Sequence, residues 1–383
     1  VDQAGVQGPV YVFDLDDTGS IRSVNPTYTE ISGSDAAIGD RFGFSVAVSN
    51  KIFIGSPYHG VSDNGAVYVY DVDGSNEVKI TSNDGAQNLF GWSVAAFENI
   101  LIVGAPNDNN DTGAVYIIDT ILNTQIKVTP SDGNINDYFG WSVATDGNKV
   151  VVGSVNHNGT GAVYTYNISG TSENKIVASD GFTNDAFGNS VSINYNKIAV
   201  GAPQDDDNGP NSGSVYLYND DGTLEQKLKA SDAGSFDEYG QSVALGENKI
   251  VVGAPSSDDN GESSGAIYVY NLDGTNELKL TPDDTSSGDK FGNAVAIGSR
   301  KILSGSYQDD EQGLYSGSAY IYDLYNPGSL EIHSNLEVFG DLNTPYNITM
   351  DGNITFGDAD TDTITFNADI TSNITPDTAT RTL

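Results

Sequence analysis

Paired aspartates recur ahead of a repeated Phe-Gly dipeptide, and they are the residues of this sequence best suited to chemistry. One aspartate stands six or seven residues before the aromatic residue, and a second stands two residues before it, except in one unit where Asn88 takes that place. Clustered carboxylate oxygens are the ligands that Ca²⁺ prefers. The same side chains also accept hydrogen bonds from turn amides, and would then only fix a crossover between sheets. Both interpretations stay open for Asp35, Asp40, Asp84, Asp132, Asp137, Asp180, Asp185, Asp232, Asp237, Asp284 and Asp289.

The position after each Phe-Gly changes character along the chain, from aromatic in three units to amide in the next three. If this position opens to one face of the fold, the rings would stack on sugar C–H faces and the amides would bind hydroxyls. If it points inward, the rings only pack between sheets, and strand alternation favours this second interpretation. The candidate ligand-binding residues are Phe44, Trp92, Trp141, Asn189, Gln241 and Asn293.

Several classes of function find no support in the composition. There is no cysteine, the three histidines are far apart, and no nucleophile-elbow, phosphate-loop or zinc-helix motif occurs, so we expect no enzyme. The formal net charge of −37 argues against nucleic acid as a partner and disfavours docking onto anionic lipid. No run of about 18 apolar residues occurs, so we expect no membrane insertion.

The Phe-Gly anchors themselves predict the fold. They return every 48 to 52 residues, and each is followed by a Ser-Val-Ala run, a Lys-Ile-Val-Val-Gly-Ala-Pro run, an acidic loop and a Val-Tyr-x-Tyr run. Four strands fit this period, and in the first unit they are predicted near 43–48, 51–55, 66–71 and 77–81. The anchors are Phe42, Phe90, Phe139, Phe187, Tyr239 and Phe291.

A four-stranded antiparallel sheet cannot bury both faces alone, so the repeats predict an all-β propeller in which blades stack radially. Val10–Asp14 and Ile21–Asn25 have the pattern of the third and fourth strands of one more unit. The sequence therefore predicts seven blades, the first incomplete. A six-bladed ring with a spare hairpin and a linear β-solenoid are the alternatives.

The repeated motifs resemble those of a known family. Phe-Gly at the start of each unit, with Val-Gly-Ala-Pro at 103–106, 200–203 and 252–255, is similar to the FG-GAP repeats of integrin α-subunit propellers and of microbial surface proteins. The resemblance covers about residues 1–334 and implies the propeller fold. The calcium loop of the integrin repeats lies between the first two strands, where this chain has only minimal turns, so that site is not carried over.

The repeat pattern ends at about Ser334, and the sequence that follows has a different character. Residues 335–383 form a predicted β-fibre or stalk with too few large side chains for a core of its own, so copies would wind together, as a trimer. A flexible linker is the alternative. The phrase at 357–378, GDADTDTITFNADITSNITPDT, resembles tail-fibre and other virion structural proteins of marine bacteriophages, notably cyanophages.

These resemblances imply a non-enzymatic virion appendage. Its expected partners are other virion proteins and a host-surface glycan or protein, bound at one face of the propeller. The alternative is a bacterial cell-surface adhesin with FG-GAP repeats, stabilised by calcium.

Overall fold

Short strands separated by glycine-rich turns form the whole of the described chain, as the Val/Ile/Tyr-rich runs predict. The computed structural model describes residues 10–13, 28–60, 62–84, 88–298, 301–310, 313, 316–324, 329–332, 336–338, 347–350 and 354–356. Two units are compact on their own, Val1–Leu324 and Tyr325–Leu383.

Six antiparallel blades form the first unit, and each begins at a Phe-Gly or Tyr-Gly anchor. The strands predicted in the first repeat are confirmed to within two residues at each end. Blade 1 contains β3 (Ser45–Val48), β4 (Ile52–Ser56), β5 (Ala66–Tyr70) and β6 (Val78–Ile80). Blade 2 contains β7 (Ser93–Phe97), β8 (Ile100–Ala105), β9 (Ala114–Asp119) and β10 (Thr124–Val128), with the short helical turn α1 (Asp108–Asp111) between β8 and β9.

The next blades repeat this order. Blade 3 contains β11 (Phe139–Thr145), β12 (Lys149–Ser154), β13 (Ala162–Asn167) and β14 (Asn174–Ile176), with a 3₁₀ turn at His157–Gly159. Blade 4 contains β15 (Ser190–Asn194), β16 (Lys197–Ala202), β17 (Ser214–Asn219) and β18 (Leu224–Leu228). Blade 5 contains β19 (Ser242–Leu245), β20 (Lys249–Ala254), β21 (Ala266–Asn271) and β22 (Leu278–Leu280). Blade 6 has three strands in the described range, β23 (Phe291–Ile297), β24 (Lys301–Ser306) and β25 (Ser318–Asp323).

The anchor aromatic residue fixes the core of each blade. It packs edge-on against the first tyrosine of the third strand, as Phe90 does against Tyr116 with ring centroids 5.2 Å apart. Both rings are fully buried. The first strands of consecutive blades contact one another, so they lie innermost and the outer strands form the rim.

The partner of β1 among the described residues differs from the one predicted. β1 (Val10–Phe13) pairs with β2 (Tyr28–Ile31), whereas the sequence pattern placed the partner strand at 21–25, which lies outside the described residues. The pairing of Val10 with Ile31 repeats that of Val215 with Leu228 in blade 4.

The blade count differs from the seven predicted. The described residues form six blades, which is the count of the alternative interpretation, and β1–β2 is a further two-stranded sheet. Val10, Val12 and Ile31 pack on Ile52 and Ile54 of blade 1, in the way that the outer strands of each blade cover the next blade.

The second unit is described only in short strands. β26 (Ser329–Ile332) pairs in parallel with β28 (Asn347–Met350), and β27 (Leu336–Val338) pairs in parallel with β29 (Ile354–Phe356). The stalk residues beyond 356 fall outside the described range. Among the described residues, no helix has the length and apolar character needed to cross a membrane.

Candidate functional site

Six similar turns carry the residues after Phe-Gly. In each turn the N–H of that residue donates to the carbonyl of the residue before the anchor, as in Trp92 N to Leu89 O at 3.0 Å and Trp141 N to Tyr138 O at 3.1 Å. Leu89 and Tyr138 have φ of 54° and 55°, a left-handed conformation that costs a non-glycine residue about 1–2 kcal/mol. The same conformation recurs at Arg41, Ala186, Glu238 and Lys290.

The preceding blade holds the turns of blades 2 to 6 in place. Tyr138 N donates to Asp111 O at 2.9 Å, and Phe139 N donates to Thr112 O at 3.0 Å. Both acceptors lie in the loop between the second and third strands of blade 2. The turns and these acidic loops therefore share one face of the propeller, and the contacts between blades offset the backbone strain.

On this face Phe44, Trp92 and Trp141 form a continuous row, the aromatic arc. The ring centroids of Phe44 and Trp92 are 4.6 Å apart with planes inclined at 46°. Those of Trp92 and Trp141 are 4.8 Å apart at 47°. All three side chains are half-buried. The rings thus pack on one another across blades in a tilted arrangement, and each keeps part of its surface in solvent. The sequence left open whether they face the solvent or pack between sheets, and in the structure they do both in part.

The structure adds aromatic and cationic residues that the sequence analysis missed. Tyr138 packs edge-on against Trp141 at 6.1 Å between centroids. The Arg41 guanidinium lies 4.5 Å from the centroid of Tyr58 and 6.0 Å from that of Phe44. Tyr138 and Arg41 each stand immediately before an anchor, three residues ahead of a residue of the aromatic arc. Their common position in the repeat is the sequence feature from which they could have been predicted.

The amide side chains continue the row from blade 4 onward. Asn189 Nδ2 donates to Gln241 O at 3.1 Å and to Gln241 Oε1 at 3.3 Å. Asn293 occupies the same turn position in blade 6, with its N–H bonded to Lys290 O at 3.2 Å. The six predicted ligand-binding residues therefore occupy equivalent turns, with Phe44, Trp92 and Trp141 stacked and Asn189 bonded to Gln241.

In five of the six turns an aspartate two residues before the anchor caps its own turn, and in blade 2 Asn88 stands there and accepts from Phe90 N. Asp137 Oδ2 accepts from Asn134 N at 2.7 Å, and Asp185 Oδ2 accepts from Phe182 N at 2.6 Å. Burial raises the pKa of Asp185 above its usual range. Burial also raises the pKa of Asp237 and Asp289, which make the same bond. Asp40 makes it to Ala37 N at 2.9 Å.

The more distant aspartate has different partners. Asp132 Oδ1 accepts from Tyr164 Oη at 2.7 Å, and its Oδ2 accepts from Lys175 Nζ at 2.7 Å. The Lys175 hydrogen bond holds the pKa of Asp132 below its usual value, against the effect of partial burial. This aspartate–tyrosine–lysine group, the blade cluster, joins the turn before the anchor to the third and fourth strands of the blade. Its members in the other blades are Asp35, Tyr68 and Lys79; Asp84, Tyr116 and Lys127; Asp180, Tyr216 and Lys227; Asp232, Tyr268 and Lys279.

In several blades the lysine also binds a second carboxylate. Lys227 Nζ lies 2.9 Å from Asp180, 2.8 Å from Asp205 and 2.7 Å from Asp207. Lys127 binds Asp84 and Asp108, and Lys279 binds Asp232 and Asp259. The ammonium group of Lys227 lies within hydrogen-bond distance of all three carboxylates and offsets their charge. Lysine recurs in the fourth strand of five blades. The sequence analysis did not use this regularity, which would have predicted lysine as the partner of the aspartates.

Histidine takes the place of the second carboxylate in blades 1 and 3. His157 Nδ1 lies 2.7 Å from Asp137 Oδ2, and its Nε2 lies 2.5 Å from Lys175 Nζ. His59 makes the corresponding contacts with Asp40 and Lys79. In blade 6, Tyr320 Oη donates to Asp309 at 3.1 Å and also bonds Asp284.

Within the described residues, no group of three or more histidine, aspartate or glutamate side chains has the arrangement of a metal site. The predicted carboxylates are brought together in pairs with lysine, tyrosine, histidine and backbone N–H groups. This arrangement neutralises charge and ties loops to blades.

The sequence was compared with known proteins. The FG-GAP repeat family matches residues 28–70, 75–118, 122–166, 171–218, 223–270 and 275–322. Each match begins near the fourth strand of one blade and ends in the third strand of the next. No curated protein matches the sequence. Because the matched repeats span well over half of the sequence and coincide with the blades, this chain belongs to the FG-GAP repeat family.

Proposed function

We propose that this protein is a non-enzymatic recognition module of a virion appendage, which binds a host-surface glycan or protein through the propeller face that carries the aromatic arc. The observation that carries the proposal is the half-buried row of Phe44, Trp92 and Trp141, continued by Asn189 and Gln241. FG-GAP propellers fit a recognition or adhesion role, and the arc supplies a surface for it.

The chemistry of the arc favours a carbohydrate. Aromatic rings present flat apolar surface to sugar C–H groups, and neighbouring amides pair with hydroxyls. The net charge of −37 repels anionic ligands at long range. The favoured ligand is therefore a glycan without net negative charge.

A groove at the rim between blades 1 and 2 gives no support to catalysis. It has a volume of about 600 Å³ and is lined by apolar, amide, hydroxyl and lysine side chains, Ile118, Ile121 and Lys79 among them. No carboxylate or imidazole lines it among the described residues. Carboxylate and imidazole groups are common general acids and bases, and the two lysines of the lining, Lys51 and Lys79, have no carboxylate beside them in the groove itself.

The assignment to a virion rests on the resemblance of residues 357–378 to phage virion proteins and on the stalk predicted for residues 335–383. Copies of the chain would associate through the stalk, as a trimer, beside other virion proteins. The propeller would then be displayed outside the virion, where several low-affinity contacts add through avidity.

The second candidate is a calcium-stabilised adhesin on a bacterial surface, and the acidic loops on the same face favour it. If Ca²⁺ bridges these loops, a chelator should lower the melting temperature and added Ca²⁺ should restore it. If EDTA leaves the melting curve unchanged, calcium stabilisation is rejected. Binding to host cells without the metal would then favour the first candidate.

The deciding experiment compares binding of wild type and a Trp92→Ala/Trp141→Ala variant to a glycan array and to host cells. Phe97→Ala is the matched control, because Phe97 ends β7, the strand that begins beside Trp92. We expect the double variant to lose at least tenfold in affinity while the control binds normally. If the folded double variant binds as well as wild type, the arc is not the recognition site.

A further inference from the structure

A lysine and an asparagine face each other at the same place in blades 4 and 5. Lys197 and Asn219 are directly opposite at the end of the β16–β17 ladder, and Lys249 and Asn271 are opposite at the end of β20–β21. Lys197 Nζ donates to Asn219 Oδ1 at 3.0 Å. Lys249 Nζ donates to Asn271 Oδ1 at 2.7 Å. Each ammonium group therefore lies beside an amide carbonyl.

A glutamate distinguishes the two pairs. In blades 1, 3 and 5 the glutamate immediately ahead of the fourth strand accepts from the second tyrosine of the third strand, as Glu277 does from Tyr270 Oη at 2.8 Å. In blade 4 the corresponding residue, Glu225, binds Lys197 instead. Of the two lysine–asparagine pairs, only that of blade 4 has a carboxylate in contact with its lysine among the described residues.

Tyr218 loses a hydrogen bond through this change. It is the counterpart of Tyr270 and is only 3% exposed, yet its Oη has no hydrogen-bond partner among the described residues. A buried hydroxyl without a partner is destabilising. A departure of this kind from an otherwise repeated contact indicates a site where a side chain serves another purpose.

Leu224 accounts for the different direction of Glu225. In blades 1, 3 and 5 the residue before the glutamate has a positive φ, and these residues are Asn76, Ser172 and Asn276. Asparagine is enriched in this left-handed conformation, whereas a bulky leucine is disfavoured there. Leu224 is extended and begins β18. The sequence thus prevents the turn that would direct Glu225 toward Tyr218.

A β-bulge completes the change. The register between β17 and β18 shifts between Leu217 and Tyr218, and Glu225 is the residue without a partner in the ladder. Bulges re-aim a side chain, and they are frequent beside reactive sites. Here the bulge directs the Glu225 carboxylate to the ammonium group of Lys197.

We propose that Lys197 and Asn219 become joined by an isopeptide bond, with Glu225 as the proton carrier. Lys197 Nζ lies within roughly 4 Å of Asn219 Cγ, since Oδ1 is 3.0 Å away and a C=O bond is about 1.2 Å long. Groups held this close react with a high effective molarity. The side chains of Lys197 and Glu225 are 21% and 36% exposed, so the pair is partly screened from water. The bond would fix the end of the β16–β17 hairpin covalently.

The reaction balances without a cofactor or an oxidant. Glu225 removes a proton from the Lys197 ammonium group, and the amine nitrogen attacks Cγ of Asn219. A C–N bond forms to Nζ, and the bond from Cγ to Nδ2 breaks. Of the three ammonium protons, one stays on the new amide nitrogen. The other two pass by way of Glu225 to the departing NH₂ group, which leaves as ammonium.

The mass of the intact protein tests the proposal. We expect folded wild type to be lighter than its sequence by the mass of one ammonia molecule. Proteolysis should give a branched peptide that joins Lys197 to Asn219. Lys249 and Asn271, which have the same contact without the carboxylate, should be recovered as ordinary peptides and serve as a control within the same chain.

Leu224→Asn is the sharpest variant, because it leaves all three reacting side chains in place. It should return Glu225 to Tyr218 and keep the full mass of its sequence. Glu225→Gln should also keep its full mass. Gln226→Ala, one residue further along β18, is the matched control and should lose ammonia as wild type does. Circular dichroism of each variant confirms that it is folded.

Two results would overturn the proposal. One is wild type that keeps the full mass of its sequence after prolonged incubation in the folded state, and this result is decisive whether or not the variants fold. The other is an equal loss of ammonia from Lys197→Arg. Such a loss would come from cyclisation of an asparagine with its own backbone elsewhere in the chain, and not from a bond to Lys197.

Discussion

Trp92 and Trp141 lie in consecutive blades with their ring centroids 4.8 Å apart, although a whole repeat separates them in the sequence. The stacking ties the turns of blades 2 and 3 together at the face that we propose for recognition. Because each ring is half-buried against its neighbours, the arc contributes to stability as well as to any binding.

The contact between Trp92 and Trp141 should be measurable as a coupling free energy in unfolding experiments. A double-mutant cycle of Trp92→Ala and Trp141→Ala, followed by urea unfolding, should give a coupling free energy of about 0.5–1.5 kcal/mol. A cycle of Trp92→Ala with Phe97→Ala should give none, since these residues lie at opposite ends of β7. Additive effects in the first cycle would show that the rings do not interact in solution. Binding of these variants should be measured well below their melting temperatures.

Lys227 should be among the most sensitive polar residues. Lys227→Met would leave Asp205, whose side chain is only 3% exposed, without its ammonium partner. Unpairing a buried charge of this kind costs about 3–5 kcal/mol. Lys51→Met is the control, because Lys51 pairs with Asp71 at the surface, where such a pair contributes about 0–1 kcal/mol. Similar losses of unfolding free energy for the two variants would contradict the proposed role of the blade cluster.

Asp132 and Asp185, which hold the two different aspartate positions in the turns before blades 3 and 4, should respond to acid in opposite directions. The pKa of Asp132 is lowered in the folded state, so its stabilisation is present above the unfolded value of 3.8 and is lost as the pH falls through the folded pKa. The pKa of Asp185 is raised, so its ionisation weakens folding as the pH rises. The stability advantage of wild type over Asp132→Asn should therefore shrink below about pH 4, and that over Asp185→Asn should grow on acidification. Unfolding free energies measured across the acidic range up to neutrality test this, and slopes of equal sign would refute it.

Glycines of the second strand should differ in tolerance between blades. Gly104→Ala would push Gly140 of the next blade away and should destabilise by about 1–3 kcal/mol or more. Gly305→Ala meets open space and should be neutral, or stabilise by up to about 1 kcal/mol through the unfolded state. Denaturant titration of both variants would decide this. An equal cost at the two sites would mean that blade 6 is already covered.

Local pattern accounts for what the sequence predicted well. The alternation of residues such as Val67 and Tyr68 specifies a strand with both faces buried, and the repeated Phe-Gly specifies where each blade begins. The aspartates before each anchor were also recognisable, because their spacing repeats with the anchors. The pairing of β1 with Tyr28–Ile31 was not predicted, because strand pattern alone does not fix which of two segments pairs with a given strand.

The sequence by itself determined the blade, because pairing between strands adjacent in the chain follows from turns and alternation within about 50 residues. Only the tertiary structure decided which charges meet and which faces stay open. Lys175 reaches Asp132 across 43 residues, and Leu303 is exposed only because no described residue covers it. Such contacts depend on how the ends of strands and the faces of neighbouring sheets are brought together in space, which the pattern within a single repeat does not contain.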